Sequence, residues 1–135
     1  MNTAIMPELS IEAFESGSID AEAFDHESHV YIAWLYLERY SLTEAIARFA
    51  AAIKRITESL DQVDKYHETI TWFFMLLIAE RRSMAGACDW LQFRHRNKDV
   101  CANPGAILNQ YYSQDALAST QARRSFMLPN KSGTA

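Results

Sequence analysis

The sequence predicts an all-α fold: a core of three helices running up, down and up as a bundle, with additional short helices at its C-terminal side. Three observations predict it. Apolar residues recur at steps of three and four from Asp20 to Ala85. Residues that favour helix starts stand at Asp20 and Ser41, and glycines that favour helix ends stand at Gly17 and Gly86. Between Ser18 and Gly86 there is no glycine or proline to interrupt a long element.

The elements follow in order. A short helix is predicted over Ile11 to Ser16, ended by Gly17. A second runs from an N-cap near Asp20 to about Tyr40, with His26, His29, Ala33, Leu37 and Tyr40 on one face. Ser41-Leu42-Thr43-Glu44 has the capping-box pattern and opens a third helix to about Leu60, with the stripe Ile46, Phe49, Ala50, Ile53 and Ile56. A fourth is predicted from near Asp64 to Ala85, with His67, Thr71, Phe74 and Ile78 in line. The run Trp72 to Ala79 is apolar all round, which marks this helix as central and makes Phe74 and Ile78 the expected deepest residues. Beyond Gly86, helices are predicted over Cys88 to Lys98, Ile107 to Tyr112 and around Ala116 to Phe126, with a break at Asn103-Pro104-Gly105. The domain is expected to span residues 10–129, with flexible tails at 1–9 and 130–135.

At 135 residues the chain suits one core, burying roughly two-thirds of its unfolded surface. The longest apolar run is far short of the roughly 20 residues that a membrane helix needs, and Met1 to Pro7 lacks the basic start and apolar stretch of a secretory leader. Cys88 and Cys101 have neither metal-ligand spacing nor the number for a disulfide framework. A cytoplasmic location with reduced thiols is therefore expected.

The net charge is -4, and residues 1–60 hold ten acidic and four basic side chains. That balance offers no field for nucleic acid, which needs clustered Lys and Arg. Arg94, Arg96 and Lys98, with Arg81 and Arg82 nearby, can meet an anion, but are expected on a solvated helix face or as partners of helix C-terminal dipoles. Phosphate-loop, dinucleotide and nucleophile-elbow patterns are all absent.

Chemistry concentrates in three of the four histidines. His26 and His29 form an H-x-x-H pair, which on a helix places both rings on one side at a spacing able to chelate a metal. Glu22, four residues before His26, is placed to accept a hydrogen bond from its ring. In Tyr66-His67-Glu68-Thr69-Ile70-Thr71, Thr71 stands one turn after His67 and can hold that ring, with Tyr66 beside it. Glu68 serves either as a helix-start carboxylate or as a general base. Because the second and fourth helices are expected to be parallel, His26, His29 and His67 should converge at one end of the bundle. His95, between two arginines, is expected on the surface.

Phe24-Asp25-His26-Glu27-Ser28-His29, Ala33-Trp34-Leu35-Tyr36-Leu37 and Tyr66-His67-Glu68-Thr69-Ile70-Thr71 together resemble a family of small bacterial helical proteins. Tyr111-Tyr112, Ala122-Arg123 and Phe126-Met127-Leu128-Pro129 extend the resemblance over most of residues 11–130. It departs at Asn130, where an aspartate is expected. The resemblance adds weight to the histidine motifs as a site and implies no substrate, cofactor or reaction.

Two classes of function follow. One is a metal-assisted enzyme acting on a small molecule, with His26, His29 and His67 as ligands and Glu68 or Glu22 as fourth ligand or base. Zinc suits three imidazoles and activated water, and ferrous iron suits a set in which a carboxylate replaces one of them. The other is a non-enzymatic helical protein that binds a ligand, a partner or a second copy of itself, its histidines being structural.

Overall fold

The computed structural model describes residues 9–19 and 24–131. Among these there are nine α-helices and no strand. They are α1 (Ile11–Ser16), α2 (His26–Arg39), α3 (Leu42–Ser59), α4 (Glu68–Ala85), α5 (Trp90–Arg96), α6 (Lys98–Ala102), α7 (Pro104–Tyr111), α8 (Gln114–Ala118) and α9 (Thr120–Arg124). None of the described helices is long and apolar enough to cross a membrane.

Helix starts follow cap chemistry, and two of them correct the sequence reading. Helix α2 begins at His26, because the Asp25 carboxylate accepts the Ser28 backbone N–H at 2.9 Å and fixes the first turn there. Asp20, the expected cap, lies outside the described residues, as does Glu22. Helix α4 begins at Glu68 rather than near Asp64, which sits in a separate 3₁₀ turn, Val63–Lys65. Its N-cap is His67, whose ring Nδ1 takes the place of the usual hydroxyl or carboxylate and accepts the Ile70 N–H at 3.2 Å.

The capping box moves as well. Ser41 accepts from the Glu44 N–H, but the Glu44 carboxylate pairs with Arg48 one turn on instead of reaching back. A complete box forms at Asp89 and Gln92, which opens α5. Pro104, expected in a break, is the first residue of α7. A missing N–H costs nothing at that position, since no intrahelical partner exists for it. Gly17 closes α1 in the left-handed conformation at φ 75°.

Helices α2, α3 and α4 pack against one another, with α6 also against α2 and α9 against α4. The N-terminal ends of α2 and α4 border one cavity, and near their C-terminal ends Glu38 and Arg82 form an ion pair. Phe14, Val30, Ile32, Tyr36, Met75, Ile78 and Phe93 form the deepest part of the core. Ile78 is as buried as its place in the stripe predicts. Phe74 is not: Phe73 is the buried neighbour, whereas Phe74 is half-buried and borders the cavity. The face is the predicted one, but at Phe74 it meets the cavity instead of packed atoms.

The C-terminal segment is tied to the bundle further than expected. Thr69, fully buried, donates to the Ser125 carbonyl and accepts from the Met127 N–H, both at 3.0 Å. The Tyr112 hydroxyl donates to the Met127 carbonyl at 2.6 Å. Asn130 and Lys131, read as tail, are anchored: Asn130 accepts from the Ser113 N–H and donates to the Ser113 hydroxyl, and the Lys131 N–H donates to the Tyr111 carbonyl. The amide at Asn130 uses both of its functions, where a carboxylate could only accept.

Candidate functional site

A cavity of about 280 Å³ lies between α2, α3, α4 and α7. Each helix contributes the face that its sequence period marks. From α2 come His26, His29, Val30 and Ala33; from α4 come Ile70, Thr71, Phe74 and Ile78, following the cap residue His67. Phe49 and Ile53 of α3 and Leu108 of α7 complete the apolar wall. The three histidines expected to share a site thus border one space.

They do not form one cluster of free ligands. His67 is buried and both ring nitrogens are in use. Because Nδ1 accepts from the Ile70 N–H, the proton is on Nε2, which donates to the Leu117 carbonyl at 2.7 Å. Leu117, and not Thr71, therefore holds this ring, and His67 has no nitrogen to give a metal in this arrangement. Among the described residues no group of three His, Cys, Asp or Glu side chains is placed to hold an ion.

His26 and His29 differ from His67. The His26 Nε2–H donates to the carbonyl of Val100 in α6 at 2.9 Å, and the ring meets Phe74 edge-on, with centroids 5.0 Å apart. The His29 Nδ1–H donates to the Asp25 carbonyl at 3.0 Å. Burial, the largest influence, and the neighbouring His26 charge hold the His29 pKa below its ordinary value, outweighing the Asp25 carbonyl that favours the charged ring. His29 is thus neutral near pH 7, its tautomer set by the Asp25 bond, and its Nε2 carries a lone pair. Neither His26 Nδ1 nor His29 Nε2 has a hydrogen-bond partner among the described residues.

Glu68 belongs elsewhere. As the first residue of α4 it points away from the histidine cavity into a second recess, bordered by Lys54, Arg123 and Arg124. There Tyr66 donates its hydroxyl to the Glu68 carboxylate, and Lys54 approaches the same oxygen at 4.0 Å. Burial, then that bond, raises the Tyr66 pKa well above the usual phenol range. Tyr66 borders both spaces. Arg123 donates to the Asp64 carbonyl at 2.7 Å, which ties α9 to the turn before α4.

The remaining candidates fall into place. His95 is exposed, Arg94 pairs with Glu27 at 3.2 Å, and Arg81 makes a two-pronged contact with Asp99 at 2.9 and 3.1 Å. Cys88 and Cys101 are both free thiols. Thr69 and Lys65 were not singled out by the sequence. Thr69 carried a signal through its place in the Tyr66-to-Thr71 motif, whereas Lys65 carried none. Comparison with family models, curated proteins and solved structures finds no match, so the chemistry of the cavity is read from its own residues.

Proposed function

We propose that the chain is a helical binding protein for a small molecule, and that the ligand occupies the cavity beside His26 and His29. One observation carries the reading: a neutral His29, fixed through Nδ1, leaves Nε2 as a hydrogen-bond acceptor on the border of a largely apolar space. An apolar wall with few, well-fixed polar groups is the usual composition of a small-molecule site, and about 280 Å³ is near the lower end of such sites.

Calorimetric titration with tyrosol, a neutral phenol with a two-carbon arm, tests it. Ala33 is buried and borders the cavity, so Ala33→Leu should fill the space and abolish binding, and Leu108→Trp should do the same from α7. Saturable binding to the parent that survives both substitutions in folded protein would count against this cavity.

A metal-assisted enzyme is the second reading. What favours it is that His26 Nδ1 and His29 Nε2 are unpaired among the described residues, on rings that border the same space. Stoichiometric zinc or iron in protein purified without a His tag would support the enzyme. Metal-free protein that binds tyrosol would support the binding protein.

A further inference from the structure

We infer that the cavity selects a small monocarboxylate with an apolar body, and that a hydroxyl or N–H group on that body donates to His29 Nε2. This rests on the ligand-binding reading above and names the ligand class.

The charge around the space is one-sided. Among the described residues that border it, Lys65 carries the one permanent charge, and no Asp or Glu is present. Lys65 is exposed, which places it at the solvent end, and it forms no ion pair among the described residues. The N-terminal ends of α2 and α4 also adjoin the cavity, but each carries its own carboxylate, Asp25 capping α2 and Glu68 opening α4, so Lys65 sets the charge preference. A cation at the mouth would meet the Lys65 ammonium with no carboxylate among the described lining residues to offset it. An anionic group at the mouth meets a charge-assisted donor.

Size and wall set the rest of the ligand. About 280 Å³ is nearly twice the roughly 150 Å³ that admits benzene in a dry apolar cavity, so one ring with a short arm fits. Phe49, Ile53, Ile70, Phe74 and Ile78 offer that ring no polar partner. His29 does, and as an acceptor, because its Nδ1–H is committed to the Asp25 carbonyl; His26 Nδ1 is a second acceptor on the same border. A donor on the ring is therefore rewarded, and a bare ring leaves the lone pair without a partner.

Four probes of similar shape separate these features: para-hydroxyphenylacetate, phenylacetate, tyrosol and tyramine, titrated by calorimetry near neutral pH. The hydroxylated acid should bind about tenfold more tightly than tyrosol, and tyramine should bind more weakly than tyrosol. Phenylacetate should fall below the hydroxylated acid by about three- to tenfold. Lys65→Gln, an exposed change, should bring the hydroxylated acid to within about twofold of tyrosol and leave tyrosol itself unaltered. His29→Leu should narrow the gap between the two acids. Equal affinity for the acid and tyramine, or no response to Lys65→Gln, overturns the charge selection even though tyrosol binding would still uphold a ligand site. A gap between the acids that His29→Leu leaves undiminished overturns the acceptor role. Failure of all four probes to bind removes the ligand-binding reading and this inference together.

Discussion

His67 donates from Nε2 to the carbonyl of Leu117 at 2.7 Å, joining the cap of α4 to a residue 50 positions further along the chain. The other nitrogen of the same ring accepts the Ile70 N–H, so one neutral imidazole both starts a helix and holds the C-terminal segment across it. A residue that reads as a metal ligand in the sequence is thus explained by two backbone partners.

His67→Ala should lower unfolding free energy by about 2–4 kcal/mol, combining loss of a cap with a carbonyl and an N–H left without partners. Urea denaturation measures it. A change below roughly 0.5 kcal/mol, the level of an ordinary surface substitution, would mean that water replaces the ring at no cost.

Thr69 is the second anchor of that segment, with one hydroxyl serving both Ser125 and Met127. Thr69→Val keeps the shape and removes the hydroxyl, so it should cost about 1–3 kcal/mol. Limited proteolysis should show cleavage after residue 112 accelerated in Thr69→Val and restored in Thr69→Ser.

Phe73 and Phe74 should respond unequally to truncation. Phe73 is 7% exposed in the core, so Phe73→Ala should cost about 3–5 kcal/mol, and Phe74→Ala roughly half that or less because its ring already borders open space. Equal losses in denaturant unfolding would place both rings in the same packed environment.

The sequence made the faces legible and left the ends obscure, for a physical reason. Steps of three and four put His26, His29 and Ala33 on one side of α2 and His67, Thr71, Phe74 and Ile78 in line on α4, and those residues do border one cavity. Periodicity reports which residues share a side. It is silent on whether that side meets packed atoms or empty space, which is why Phe74 reads as core. Helix starts depend on single hydrogen bonds, and a histidine acting as N-cap has no common signature, so α4 reads as beginning before His67. The partners of His26 and His67 are carbonyls 74 and 50 residues away. Main-chain acceptors leave no mark on residue type, and so both rings read as open to a metal.

His29 should make stability fall in mild acid. Its pKa in the folded chain lies below the ordinary 6.5, so as pH drops below that value the unfolded chain takes up the proton first. The stabilisation is fully present above about pH 6.5 and is lost as pH falls toward and through the folded value. His29→Gln should flatten this part of the stability profile. An unchanged profile, or a ring that titrates at or above 6.5 in the native protein by NMR, would contradict the neutral state assigned to His29.

¹⁵N spectra of the histidine side chains recorded while tyrosol is added read His29 Nε2, the proposed ligand acceptor, directly. The expected result is an unprotonated Nε2 in the free protein that shifts progressively and saturably with tyrosol, while both His67 nitrogens keep their positions because their backbone bonds are undisturbed. Binding of tyrosol with the His29 resonances unmoved, or a free-state spectrum with the proton on Nε2, would contradict that acceptor role.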